Sequence, residues 1–448
     1  MTAARTVSFA TLGCRLNQVD TRVLQTMLEA RGFRTVDFDK PADVVVVNTC
    51  TVTARAEFSD RQMIRRAARV SPGATLVVTG CWAQTSPDEV AALSGVDLVV
   101  GNGDKDRLPD LLEQVGAART HVSDIARAKM SETAPLARWH GRSRAFLKVQ
   151  DGCQHRCAFC VVPLARGASR SLAPKVVLDQ AQLLVEAGHL EIVLTGVDLG
   201  HYGADLVPRT TLAALLRSLV EIPGLRWVRL SSLLPAYFTP ELIEIVTGSP
   251  LVAPHLHIPL QSGSTRVLRL MRRPYDARMY RALVERLVAS RPGLGLGADV
   301  IAGFPGESEQ DFAETKACVE ALPFSYLHVF PYSARKGTEA VGLDDQVDPR
   351  TISRRSRVLR DLGRAKSDEF RRRLVGTSQD VLVLETRDRA TGALVGLTGN
   401  YVEVAFPGPD RLMRTLARVR VTGAHAERAV GALDATDAAA PPLAANAR

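Results

Sequence analysis

The chain of 448 residues has no long hydrophobic run: its longest unbroken aliphatic stretch, Leu212–Leu216, falls far short of the about 20 apolar residues that cross a bilayer. The opening residues, MTAARTVSFATLGC, hold no apolar stretch of signal-peptide length, so the expected compartment is the cytoplasm and no membrane partner is expected. Lysine is scarce, 8 of the 57 basic residues, so the net charge of +9 is mostly arginine. Enrichment in arginine and alanine can reflect coding bias alone, and the global charge is therefore weak support for a polyanionic partner. Cysteine is sparse too. Seven cysteines in a reducing compartment exclude a disulfide framework and raise metal ligation or catalysis instead. What is present, 46% hydrophobic and 23% charged residues over this length, suits two or three folded domains rather than one small module.

Three N-terminal segments repeat one pattern, an apolar strand-like run ending in a small-residue turn with a single cysteine: VSFATLGC at Cys14, ADVVVVNTC at Cys50 and ATLVVTGC at Cys81. Helix-like stretches, TRVLQTMLEARG and RAEFSDRQMIRRAARV, lie between them. The cysteines are 36 and 31 residues apart, close to the roughly 30 of a βαβ unit. Parallel strands joined this way present their ends along one edge, where three cysteines can converge from distant loops. From about Arg142, six further strand-like runs alternate with helical ones: AFLKVQDGC, EIVLTGVD, WVRLSS, HLHIPLQSG, LGADVIAGFPGE and YLHVFPYS. Six βα repeats predict a partial α/β barrel with its site at the C-terminal ends of the strands. Downstream, DVLVLE, LVGLTG, YVEVAF and LMRTLARVRV read as a small β-barrel.

The expected fold class is therefore α/β in three units: an N-terminal open parallel α/β domain over 1–125, a central partial (β/α)6 barrel over 139–370 and a C-terminal small β-barrel over 373–425. An alanine-rich disordered tail is expected over 426–448, and a first linker over Asp104–Arg138. Between Thr351 and Arg373 nine basic residues outnumber three acidic ones, a run that usually marks a solvated helix face. Arg354 to Arg373, with Arg411, Arg414, Arg418 and Arg420, are candidate RNA phosphate contacts.

The octapeptide CQHRCAFC puts Cys153, Cys157 and Cys160 on one loop directly after the first barrel strand. A structural zinc site normally takes four closed ligands, and no fourth Cys or His stands at finger-like spacing. Iron-sulfur clusters also usually take four thiolates, so three would leave one iron open. His155 is a possible fourth ligand, although its place between two cysteines on a tight loop makes that geometry hard to satisfy. His255 and His257 share one face of a strand and are read as structural histidines near the barrel mouth. Asp299 is expected to contact substrate or cap a turn, and Cys318 to be a core thiol.

Cys-x3-Cys-x2-Cys with an aromatic before the last cysteine, after the first strand of a βα barrel, resembles the signature of radical S-adenosylmethionine (SAM) enzymes. The resemblance implies that Cys153, Cys157 and Cys160 hold a [4Fe-4S] cluster whose open iron binds the amino and carboxylate groups of SAM. It further implies reductive cleavage to a 5′-deoxyadenosyl radical, with Phe159 near the adenine. TLGCRLNQ, NTCTVT and TGCWAQ are similar to the three cysteine loops of the methylthiotransferases, which implies a second [4Fe-4S] cluster on Cys14, Cys50 and Cys81 that carries the sulfur. The likeness extends through VVPLARGASRS, EIVLTGVDLGHYG, PHLHIPLQSGSTRVLRLMRRPY, DVIAGFPGE and HVFPYSARKGTEA. The terminal β segment resembles the TRAM domain, an RNA-binding barrel.

Thr195, Gly196 and Ser231 are implied SAM contacts. Two departures touch them: Ser231-Ser232-Leu233-Leu234-Pro235 stands where the family commonly has Ser-Ser-Ile-Glu-Pro, and Asp198 where asparagine is usual. TLGCRLNQ and NTCTVTARAEFSDRQ look most like the branch that methylthiolates N6-threonylcarbamoyladenosine beside the tRNA anticodon. That implies tRNA, a flavodoxin- or ferredoxin-like electron donor and a sulfur donor as partners. The alternatives are isopentenyladenosine tRNA, a ribosomal protein aspartate, or a non-catalytic iron-sulfur RNA-binding protein.

Overall fold

Runs of β-branched residues build the N-terminal domain, and the computed structural model describes residues 4–114, 119–130, 139, 141–425 and 427–434. Strands β1 (Thr6–Thr11), β2 (Arg34–Thr35), β3 (Val44–Thr49), β4 (Thr75–Gly80), β5 (Leu98–Val100) and β6 (Thr120–His121) form one parallel sheet in the order β2-β1-β3-β4-β5-β6. Every residue of β3 is buried, as a central parallel strand covered on both faces requires. Helices α1 (Arg15–Ala30), α2 (Ala54–Val70), α3 (Cys81–Thr85), α4 (Pro87–Ala91) and α5 (Leu108–Glu113) supply the cover. Much of the expected linker belongs to this domain. Leu108, Leu111 and Leu112 of α5 pack under the sheet and β6 extends it, which their apolar spacing permits and the polar residues around them disguise. Residues 131–138 of that segment lie outside the described residues.

The central barrel has six parallel strands, β7 (Arg144–Lys148), β10 (Glu191–Thr195), β11 (Trp227–Leu230), β12 (His255–His257), β13 (Gly295–Ala302) and β14 (Tyr326–Pro331). Two three-stranded sheets, β7-β10-β11 and β12-β13-β14, are linked by parallel bridges from Val228 to Val252 and from Ser232 to His257. A short hairpin, β8 (Gln150–Asp151) with β9 (Arg170–Ser171), and helix α6 (Val162–Arg166) surround the CQHRCAFC loop. Helices α7 (Pro174–Glu186), α8 (Leu212–Leu219), α9 (Pro240–Gly248), α10 (Thr265–Leu270), α11 (Ala277–Ser290) and α12 (Glu309–Ala321) connect the later strands, and the long basic α13 (Pro349–Arg373) follows β14. Strand alternation sorts the side chains. Leu296, Ala298 and Val300 of β13 join the outer core, while Gly295, Gly297 and Asp299 turn to the lumen.

The C-terminal barrel closes in the order β15 (Ser378–Arg387), β16 (Leu394–Thr398), β17 (Glu403–Phe406), β19 (Arg428–Leu433) and β18 (Leu416–His425). The tail expectation is corrected here: Arg428–Leu433 pairs with β17 and β18, because closure of the barrel leaves an edge that this segment fills. Residues 435–448 lie outside the described residues.

The three units interlock. On the β7 edge of the central barrel, Asp20 of α1 pairs with Lys148 at 2.6 Å; on the β14 side, Glu57 of α2 pairs with Arg335. The N-terminal domain thus spans the gap between the two edge strands. From the third unit, the turn Thr398–Val402 enters the base of the central barrel, with Tyr401 at φ +74°. There the Tyr401 ring stacks on His255 at 4.4 Å and its hydroxyl takes a hydrogen bond from Arg15 at 2.9 Å. Arg229, fully buried and paired with buried Glu191, donates to the carbonyls of Gly399 and Thr398.

Candidate active site with two cysteine centres

Cys14 caps α1, Cys50 follows β3 and Cys81 opens α3, so each stands at the C-terminal end of its strand. Asn17, buried in the first turn of α1, ties these loops together by donating to Leu12 O at 2.7 Å and Thr49 O at 2.8 Å. Thr49 in turn donates to Thr79 O, and Asp60 accepts the Cys50 amide. Burial, and then Cys81 and Cys14, push the Cys50 thiol up to about 12. Burial also raises Cys81, against the opposing charge of Arg166. Each thiol of this triad lies within electrostatic reach of the other two.

The second triad sits on the loop after β8. The Cys153 amide donates to Gly167 O, and the Cys160 amide to Cys157 O. Burial raises Cys153 and pushes Cys160 up to about 11, and the three thiols again act on one another. His155 is not free to join them: its Nε2 pairs with the Tyr237 hydroxyl at 2.7 Å. Three thiols on one loop, without a fourth cysteine there, fit a cluster that keeps one iron open. Among the described residues, His257, Asp299 and His328 form a separate group whose ligating atoms all lie within 4.8 Å of one another.

Around Cys153, Asp198 supplies the carboxylate. Its Oδ2 lies 3.7 Å from Cys153 Sγ and accepts the Tyr237 hydroxyl at 2.9 Å. Leu233, in the segment where the family's acidic residue is missing, is buried in the barrel core. Arg273 donates to Cys157 Sγ at 3.1 Å. Phe159 packs edge-on to Phe304 of the GFPGE turn. The Gly196 amide meets Ser231 Oγ at 3.4 Å, whereas the Thr195 hydroxyl turns back to Val193 O. Within the lumen, Asp299 Oδ1 is 3.2 Å from both His257 and His328, and Tyr326 stacks on His255 and His257. Cys318 is buried in the outer core, as expected.

Residues 6–101 match the family described as "Uncharacterized protein family UPF0004", and residues 147–319 the "Radical SAM superfamily". The Bacillus subtilis protein named "Threonylcarbamoyladenosine tRNA methylthiotransferase MtaB" is 39% identical over 421 residues, 93% of each chain. The chain belongs to the radical SAM methylthiotransferase family. A Nocardioides member named "tRNA-2-methylthio-N(6)-dimethylallyladenosine synthase" is 36% identical over 91% of this chain and 82% of that one. Among solved structures, the radical SAM methyltransferase TsrM from Kitasatospora setae shares the fold, with a TM-score of 0.53 and 18% identity over 73% of this chain and 75% of that one.

In this methylthiotransferase the two cysteine triads are visible in the sequence, whereas the contacts made around them by Asn17, Asp20, Lys148, Arg166 and Arg273 are not. Arg166 and Asn17 stand within VVPLARGASRS and TLGCRLNQ, segments whose likeness to the family was their only signal.

Proposed function

We propose that this chain inserts a methylthio group at C2 of N6-threonylcarbamoyladenosine beside the tRNA anticodon, in the cytoplasm, using two [4Fe-4S] clusters and SAM. The observation that carries the reading is the pair of three-cysteine centres in a chain 39% identical to a protein named for that reaction. The C2–H bond lies between two ring nitrogens and is unactivated; no side-chain base near neutral pH removes its proton, so a cofactor must do the work while the protein positions and shields it. When bound, the clusters and SAM would supply the sulfur, the methyl group and the hydrogen-abstracting radical.

The chain's residues have the remaining tasks. Cys14, Cys50 and Cys81 hold one cluster; Cys153, Cys157 and Cys160 hold the other. Phe159 covers the adenine of SAM, and Gly196, Ser231 and Asp198 orient its polar groups, while Thr195 acts only through its backbone. Tyr326 and His257, both half-buried, offer flat faces to a nucleobase in the lumen, while His255 is buried under Tyr401. Along α13, Arg350, Arg357 and Arg360 are exposed at helical spacing and form a phosphate-binding stripe, while Arg354 and Arg364 on the same face pair with Glu309 and Asp361. Of the other candidates, Arg414 instead donates to Ala187 O and fastens the two barrels together, and Arg418 pairs with Asp380. Reduction and resupply of sulfur fall to an external electron donor and sulfur donor.

The 36% identity to the dimethylallyladenosine enzyme favours a second reading, an isopentenyl-type adenosine substrate. Mass spectrometry of tRNA nucleosides from a strain lacking this chain decides between them. Loss of 2-methylthio-threonylcarbamoyladenosine is expected; its persistence, with loss of the 2-methylthio-isopentenyl nucleoside, would reverse the assignment.

A further inference from the structure

Arg166 ends α6, six residues after Cys160, yet its guanidinium serves the other centre. Only 3% exposed, it reaches out of the central barrel to donate to Asn17 Oδ1 at 2.7 Å and Asp20 Oδ2 at 3.0 Å on α1, while its other nitrogen holds both oxygens of Asp151. Its partner Asn17 in turn donates to Leu12 O and Thr49 O, in the loops of Cys14 and Cys50, and the guanidinium lies within electrostatic reach of Cys81 and Cys14. Asn102 completes the bridge by donating to Ala165 O, next to Arg166, at 2.7 Å, with its Nδ2 3.8 Å from Cys81 Sγ.

The charges around it do not cancel. Lys105 pairs with Asp20, and half-buried Lys148 with Asp20 and Asp151, so three cations, of which Lys105 and Arg166 are buried, share two carboxylates. Burying such a group is costly unless a further negative charge faces it. The nearest source is the N-terminal triad, whose thiols must lose their protons to hold iron. The barrel triad has its own guanidinium, Arg273 on Cys157, so Arg166 is not needed there.

We infer that Arg166 is a positioning residue of the N-terminal centre, supplied by the barrel: its charge offsets the thiolates of Cys14, Cys50 and Cys81, and its contacts with α1 hold that centre against the loop carrying the other triad. The N-terminal domain alone therefore has the ligands of its centre and the cation Lys105, but not the guanidinium. The inference rests on the two-cluster reading above. Charge and hydrogen bonds at the sulfurs set the reduction potential of an iron-sulfur cluster, so a cation removed from one centre lowers the potential of that centre and leaves the other unchanged.

The test is a redox titration of the anaerobically reconstituted full-length chain, followed by electron paramagnetic resonance, with iron and sulfide counted in each sample. Single-centre forms, in which one triad is changed to alanine, identify each signal. Arg166→Gln is expected to keep iron for two clusters while the N-terminal centre moves to lower potential and the barrel centre does not shift. Arg166→Lys, which keeps the charge, is expected to stay near the wild-type potential. Two clusters with both potentials unchanged in Arg166→Gln, or an equal shift of both, would overturn the inference. Should Arg166→Gln lose the N-terminal cluster, Arg166→Lys decides: retention of the cluster supports the charge role, and equal loss overturns it. Wild-type protein with iron for a single cluster would instead overturn the two-cluster reading beneath it.

Discussion

Gly13 has no side chain because the N-terminal centre leaves no room for one. At φ +95°, a Cβ at this position would lie 2.7 Å from Cys50 Cβ and 2.9 Å from its Sγ. Gly13→Ala must therefore displace either the Cys14 loop or Cys50. Its expected outcome is iron and sulfide for one cluster fewer per chain than wild type, with the barrel cluster's spectrum retained. Gly32→Ala is the control: it shares a positive φ but meets nothing within 4 Å, and should leave the iron content unchanged. At this scale much was legible. A cysteine closing an apolar run announces itself in the sequence, as do three cysteines within one octapeptide. Arg166 and Asp20 do not, because a charge that ends up buried reads like any surface charge until the partner from another domain is in place.

At the scale of elements, alternation and turn residues were enough to find the six barrel strands, since each strand's inner and outer faces differ in polarity. Contacts between units were not legible. The run YVEVAF suggests a strand from Tyr401, yet β17 begins at Glu403, because Tyr401 leaves the sheet in a left-handed turn to stack on His255. The same dock explains Arg229, a charge in an apolar strand that ties Glu191 to the carbonyls of the inserted turn. Arg229→Met leaves buried Glu191 with only the more distant Arg144, 3.7 Å away, a change expected to cost up to about 3–5 kcal/mol, read as a lower urea midpoint. Pairing it with Glu191→Gln should recover part of that loss; equal destabilisation in the single and double variants would argue that the carbonyl contacts, not the ion pair, dominate.

For the whole molecule, the exposed arginines of α13 and the C-terminal barrel give the overall charge a location. Changing Arg350, Arg357 and Arg360 to Gln should weaken tRNA binding uniformly across sequences. Each phosphate left without its arginine should reduce the slope of log affinity against log salt by about 0.7–0.9. An unchanged slope would move the RNA surface elsewhere. Charge composition could not foretell this, because Arg354, Arg355, Arg371 and Arg373 of the same helix pair with carboxylates. No helix among the described residues is long and apolar enough to cross a membrane.

The turn that carries Tyr401 has a consequence for dimension. An RNA-binding module on a tether could present any nucleotide of a loop to the chemistry above it. The C-terminal barrel is instead bolted through Tyr401 and Arg229 into the floor of the lumen, so anything held on its outer face sits at a fixed reach from Cys153 and Cys14. With tRNA held there as proposed, the fold would work as a ruler, selecting the nucleotide to be modified by length before any base is read.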